Sequence, residues 1–174
     1  MTTFLKNRDM KFSFHLLLAC IALTACGESG KTTADYRIVP CPGEIAPGDG
    51  GDFELDARTR IVCTGDNDGM RANAEFLAGY VESVVGSAPE ITGPDGLCDD
   101  GRAVILRADA PGKGGEAYEI EVSENRITVS GESDAGVFYG IQTLRKAMGA
   151  AKAAKVLFPA VRIADEPYLG YRGV

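Results

Sequence analysis

The stretch Ser133-Asp-Ala-Gly-Val-Phe-Tyr-Gly-Ile-Gln-Thr-Leu-Arg-Lys-Ala-Met-Gly149 decides how the chain folds. Val137, Phe138, Ile141, Leu144 and Met148 recur at three- and four-residue spacing, which places them on one face of a helix. Ser133 or Asp134 can cap its first turn, and Gly149 suits the left-handed position past its end. Two interior glycines, Gly136 and Gly140, stand one turn apart. Each costs a helix about 1 kcal/mol relative to Ala, so the pair predicts another backbone passing close to that side. No side chain in the stretch suits chemistry, and it reads as a packing element.

Strand patterns surround this helix. Glu119–Val122 and Arg126–Val129 alternate polar and apolar side chains and are joined by Ser123-Glu124-Asn125, a hairpin. The interiors of Arg60–Cys63 and Arg102–Arg107 are continuously apolar, as in buried strands. Tyr36–Pro40, Asp52–Leu55 and Glu90–Thr92 read as short strands, and Val156–Phe158 and Ala160–Ile163 finish the folded unit. A second helix is expected over Met70–Val85, with Ala74, Leu77, Val81, Val84 and Val85 as its apolar face, Phe76 and Tyr80 flanking it, and Gly86 as its stop. The order predicts an α+β fold: a mostly antiparallel or mixed sheet with both helices packed on one face.

The chain has 174 residues, a length that suits one domain of ordinary size. It is 45% hydrophobic and 25% charged, with a net charge of −7. Acidity and the lack of a basic stripe exclude a nucleic-acid partner. The N-terminus reads as an export signal. Lys6, Arg8 and Lys11 precede the apolar run Phe12–Leu23, which is too short for the roughly 20 residues of a membrane-spanning helix. Met10 is an alternative start, since Asp9 is unusual in a basic leader. The run closes on Leu23-Thr24-Ala25-Cys26, which resembles the lipobox of bacterial lipoproteins. The resemblance implies cleavage before Cys26, acylation of its thiol and new amino group, and stable anchoring in the cell envelope through several acyl chains. Residues 1–25 are then the signal peptide and 26–35 a small, polar tether.

Cys41, Cys63 and Cys98 remain in the exported chain, where disulfides are permitted. One bridge and one buried free thiol are expected, with the pairing left open. No Cys-x-x-Cys pair suits zinc. His15, the one histidine, leaves with the leader, which excludes Ser-His-Asp and Cys-His engines. The chain has no Trp, which weakens the case for an independent carbohydrate-binding module. Asp66-Asn67-Asp68-Gly69 lacks the later ligands of a calcium loop and reads as a helix N-terminus. Pro111-Gly112-Lys113-Gly114-Gly115 lacks the Ser or Thr that follows the Lys of a phosphate loop and reads as a turn. Asp165 and Glu166 are adjacent carboxylates at the start of a linker. Neighbours on an extended segment point to opposite sides, unlike glycosidase pairs that face each other across a bond.

The order of motifs is similar to the small domain that precedes the barrel of family 20 glycoside hydrolases, the β-N-acetylhexosaminidases. The residues that carry the resemblance are Ile38-Val39-Pro40, then Ala135 to Leu144, then Phe158-Pro159-Ala160-Val161-Arg162-Ile163-Ala164-Asp165-Glu166-Pro167 leading to Tyr171-Arg172-Gly173. The resemblance implies a non-catalytic small domain over 36–164, a sheet covering two helices. It implies a linker at 165–174 leading into a (β/α)8 catalytic barrel of the same polypeptide that this chain lacks. In the family, an adjacent Asp-Glu pair in the barrel works with the substrate's acetamido group to remove terminal N-acetylglucosamine or N-acetylgalactosamine. Of the family's substrate residues only the Arg of the Arg-Gly motif, here Arg172, falls within this chain, and no catalytic residue does. Its guanidinium offers fixed donors to sugar hydroxyls. No cofactor is expected. The alternatives are a stand-alone envelope lipoprotein that reuses the domain for binding or structure, and the small domain of another exo-glycosidase.

Overall fold

The helix read from Ser133 forms over Asp134–Met148, and Ser133 is its cap: Ser133 Oγ accepts from the amides of Ala135 (3.2 Å) and Gly136 (3.4 Å). Gly149 ends it with its amide on the Arg145 carbonyl (3.2 Å). Its φ of 70° is positive as expected. Its ψ of 179° is extended rather than left-handed helical, so the chain leaves straight into the next loop. These features come from a computed structural model that describes residues 30–96, 101–109 and 115–166. The leader, Cys26, Cys98, Pro111–Gly114 and the tail from Pro167, with Arg172, lie outside the described residues.

In chain order the strands are β1 (Lys31–Thr33), β2 (Glu44–Pro47), β3 (Phe53–Leu55), β4 (Arg60–Cys63), β5 (Glu90–Thr92), β6 (Ala103–Arg107), β7 (Tyr118–Ser123), β8 (Arg126–Gly131), β9 (Lys155–Phe158) and β10 (Val161–Asp165). Helix α1 (Asp68–Val85) lies between β4 and β5, and α2 (Asp134–Met148) between β8 and β9. Seven strands form one mixed sheet in the order β2-β10-β7-β8-β6-β4-β5. The half from β2 to β8 is antiparallel and built on the β7–β8 hairpin, whereas β8, β6, β4 and β5 run parallel. The parallel half follows from α1, which carries the chain back across the sheet between β4 and β5.

Both helices pack on one face of this sheet. Ile61, Val104, Leu106, Ile120, Val122, Ile127 and Val129 meet Leu77 and Val81 of α1 and Val137, Ile141 and Leu144 of α2 in one core. Alternation puts Glu119, Glu121, Thr128 and Arg162 on the other face. There Val62, Ala103 and Ile105 make a small separate cluster. The fold class read from the sequence is therefore the observed one: α+β, with a mixed sheet and two helices on one side. Asn67 caps α1 through Oδ1, which accepts from the Met70 amide (2.8 Å), and Gly86 ends it at φ 86°. Gly79, inside α1, has open space where a β-carbon would sit. Gly79→Ala is expected to stabilise the domain by about 1 kcal/mol, read as a shift in denaturation midpoint.

A second sheet was not foreseen. β9 pairs in parallel with β1 on one side and antiparallel with β3 on the other. The expected opening strand at Tyr36–Pro40 is irregular instead, and the first described strand, β1, lies inside the stretch expected to be a tether. The reason is where the backbone finds partners. The Asp35 amide donates to the Ala147 carbonyl at the end of α2 (2.9 Å), and the Tyr36 hydroxyl donates to the Pro159 carbonyl (2.9 Å). The strand-forming bonds fall to Lys31–Thr33, which pairs with Lys155–Leu157.

A charge network joins the two sheets. Arg102, just before β6, donates to Asp56 Oδ2 (2.8 Å) and to Glu54 Oε1 (3.3 Å), and Lys155 of β9 donates to the same Glu54 oxygen (2.8 Å). Asp56 is buried and also accepts from the Arg58 amide (2.9 Å). Burial pushes its carboxyl up, but the Arg58 amide and guanidinium and the charge of Arg102 together outweigh it and hold Asp56 below its usual value. A carboxyl depressed on folding contributes stability above its unfolded value, near 3.9, and loses it as pH falls through the folded value below that. Asp56→Asn is expected to cost about 2 kcal/mol at neutral pH. In urea titrations the gap between variant and parent should close below pH 3.9; a gap constant with pH would refute the charge assignment.

Candidate functional site

Among the described residues three surfaces stand out as places where function can reside. The first surface is the outward side of the helix pair. Phe76 of α1 and Phe138 of α2 meet at 5.5 Å between ring centroids, with Tyr139 at 6.0 Å from Phe138. All three are more than a third exposed. Sequence spacing put Phe138 on the packed face of its helix. The structure turns it outward, because Val137, Ile141, Leu144 and the two glycines face the sheet and position 138 lies a hundred degrees round from 137. Beside the aromatics, the Arg145 guanidinium lies 5.6 Å from the Tyr80 ring centroid, and the Tyr80 hydroxyl donates to the Gly149 carbonyl (2.7 Å). Of this surface, sequence spacing set Phe76 and Tyr80 beside the apolar stripe of α1 and missed Phe138.

The second is a groove of about 340 Å³ on the open face of the large sheet, lined by Glu44, Glu119, Glu121, Thr128, Ser130 and Arg162. Arg162 Nη2 holds Glu121 Oε1 at 3.1 Å, an exposed pair that adds little stability. The groove is open and polar, and its carboxylates do not face each other across an enclosed space. The third is a cleft of about 380 Å³ at the ends of β4 and β5, bordered by Cys63, Asn67, Arg71 and Glu75. Asn67, part of the acidic run that invites a metal reading, is occupied as the cap of α1. Among the described residues no group of three His, Cys, Asp or Glu side chains is placed to hold a metal ion.

Asp165 was read as the first residue of a linker. It is instead the last residue of β10, and its side chain is engaged: Oδ1 accepts from the Gly43 amide (3.1 Å) and Oδ2 from the Tyr118 hydroxyl (3.4 Å). That hydroxyl also shares a 2.6 Å bond with Thr143 of α2, and burial pushes its pKa up to about 12. Asp165 thus closes the end of the sheet, while Glu166 beside it is exposed. The pair is split between a structural and a solvated role, as an extended segment requires.

Cys41 and Cys63 are both free thiols, the first exposed and the second buried. The expected bridge is made by neither of them. Cys63 ends β4 with its Sγ turned to the Gly65 carbonyl (3.2 Å), inside its own turn, while Cys41 sits in an exposed loop. Cys98, Cys26 and Arg172 lie outside the described residues. None of the described surfaces brings together a nucleophile, a base and an enclosed reacting position.

Comparison with known proteins gives the family of this domain. Residues 35–166, well over half the chain, match the family described as glycosyl hydrolase family 20, domain 2. A β-N-acetylhexosaminidase of Cellulomonas fimi is 28% identical over 140 residues, covering 80% of this chain but 28% of that protein. A β-hexosaminidase of Porphyromonas gingivalis is 28% identical over 178 residues, covering 94% of this chain and 22% of that protein. Among solved structures, the family 20 β-N-acetylhexosaminidase of Streptomyces coelicolor A3(2) superimposes with a TM-score of 0.66 over 79% of this chain and 28% of that one. At 23% identity that likeness speaks for the fold. A family 20 β-N-acetylglucosaminidase, 32% identical, gives a TM-score of 0.57 over 80% of this chain and 24% of that one. The chain spans less than a third of the length of each of these relatives. It belongs to family 20 of the glycosyl hydrolases, as that family's domain 2.

Proposed function

We propose that this chain is the non-catalytic small domain of an exported, lipid-anchored β-N-acetylhexosaminidase, and that the hydrolytic site lies in a barrel of the same polypeptide. The carrying observation is that domain 2 accounts for residues 35–166 while covering under a third of relatives named as hexosaminidases. The described carboxylates support it, since Asp56 and Asp165 are committed to holding the fold. The parent enzyme removes terminal N-acetylglucosamine or N-acetylgalactosamine from envelope glycans, with the substrate's acetamido group as nucleophile and retention at the sugar carbon. The exposed Phe76–Phe138–Tyr139 face is the surface of this domain that suits an apolar partner such as the barrel. Arg172 then belongs with the barrel's sugar site, and Cys26 carries the acyl chains.

The purified chain should show no turnover of an aryl N-acetylglucosaminide above the buffer rate; measurable hydrolysis overturns the non-catalytic assignment. Reading the coding DNA beyond Val174 for a barrel tests the parent directly. Incorporation of labelled palmitate that disappears in Cys26→Ser tests the anchor.

A further inference from the structure

The end of the fold nearest Cys26 carries charge opposite to that of the molecule as a whole. The register of β1 sets Lys31 beside Lys155. The Ala154 amide donates to the Gly30 carbonyl (3.2 Å), so the loop between α2 and β9 lies against the point where the chain enters the fold. The Ala153 amide donates to the Val84 carbonyl (3.0 Å), which brings the last turn of α1 to the same end. From the last turn of α2 through this loop the sequence is Arg145-Lys-Ala-Met-Gly-Ala-Ala-Lys-Ala-Ala-Lys155. It holds basic side chains and no acidic one, within a chain of net charge −7.

Lys31, Ala150, Ala151 and Lys152 are exposed. Among the described residues Lys31 and Lys152 make no ion pair, and Lys146 donates to the Val39 carbonyl (3.0 Å). Glu54, the carboxylate facing this end from β3, is held by Lys155 and Arg102. Glu82, on the last turn of α1, is exposed.

Cys26 lies five residues before Lys31. Five extended residues reach at most about 18 Å. With β1 at Lys31–Thr33, the span from Cys26 to the first described strand is shorter than a tether running to residue 35. An acyl anchor on Cys26 holds Lys31 within roughly two Debye lengths of the bilayer at physiological salt. The acidic remainder of the domain is repelled by an anionic surface, and this end is attracted to it.

We propose that the basic end formed by Lys31, Lys152 and Lys155 rests on anionic phospholipid headgroups and orients the domain on the membrane. The proposal rests on the acylated Cys26 of the preceding reading. It is tested with the full chain made in a bacterium from its own leader and reconstituted into vesicles of phosphatidylcholine, with or without phosphatidylglycerol. Amine-labelling rates of the three lysines are read by mass spectrometry, and the same digest reports the mass of the Cys26 peptide. Labelling should be about fivefold slower on the anionic vesicles, the factor expected per basic side chain near such a surface. Concentrated salt should restore it, and Lys31→Gln with Lys152→Gln should abolish the slowing at Lys155. Equal labelling on both vesicles with an acylated Cys26 overturns the membrane contact and leaves the anchor standing. An unmodified Cys26 overturns the anchor and the contact with it.

Discussion

Gly136→Ala is expected to destabilise the domain by about 3 kcal/mol, the upper part of the range for forcing atoms into a filled core. A β-carbon at this position falls 2.3 Å from the Ala117 carbonyl oxygen and 3.4 Å from the Gly131 Cα. Both neighbours are backbone, so relief requires α2 to lift or the chain entering β7 to move, and either opens the core beneath Val137 and Ile141. Ala also gains about 1 kcal/mol in helix propensity over Gly, so the figure is what remains after that gain. For a domain of this size it corresponds to a fall in Tm of about 10 °C. Gly140→Ala should be milder, because there the added carbon meets side chains, Val129 Cγ1 at 2.5 Å and the Tyr118 ring at 3.3 Å. Urea denaturation of both variants checks the order. A Gly136→Ala protein as stable as its parent would mean that the helix is not seated as described.

Phe158→Ala should cost about 4 kcal/mol, in the range measured for large buried aromatics. Phe158 sits on the central strand of the small sheet directly opposite Phe53, and both rings are fully buried. The cavity has little means of collapsing, because β9 is held on both sides by β1 and β3. The midpoint of urea unfolding should fall with the slope unchanged. Phe158→Leu should recover most of the loss. If Phe158→Ala unfolds the chain outright, the leucine variant still reports the packing: a leucine protein as unstable as the alanine one would contradict a purely volumetric role.

The glycine pair shows how much of this fold was legible in the residues. Its cost to a helix pointed to a close neighbour, and the neighbour is the Ala117 carbonyl, Gly131 and Val129. The caps at Ser133 and Gly86 and the hairpin around Glu124-Asn125 were legible for the same reason, since each is a local rule with a local cause. The small sheet was not. Lys31-Thr32-Thr33 has no apolar alternation, and it becomes a strand only because β9 offers it a free edge. Tyr36–Pro40 does look like a strand, but the Arg37 amide is taken by the Asp35 carboxylate, the Val39 carbonyl by Lys146 and the Tyr36 hydroxyl by Pro159. Asp165 looked like linker because its partners, Gly43 and Tyr118, are remote in sequence. The aromatic surface was half legible. Phe76 was set beside its apolar stripe, while Phe138 was assigned inward by a spacing rule that cannot separate adjacent positions at the edge of a face. Arg172, to which the family resemblance assigns a sugar contact, belongs to the part of the chain outside the described residues.

The pairing of β1 with β9 also sets an order of events. Lys31 cannot find Lys155 until nearly the whole domain has been synthesised and the intervening strands have left the ribosome. Contacts of such long sequence separation form slowly. A chain in which β1 waits for β9 keeps its small sheet open while it is being made. If the chain is exported as proposed above, that is the useful condition, because a translocation channel takes an unfolded thread and the small sheet cannot close before β9 has been made.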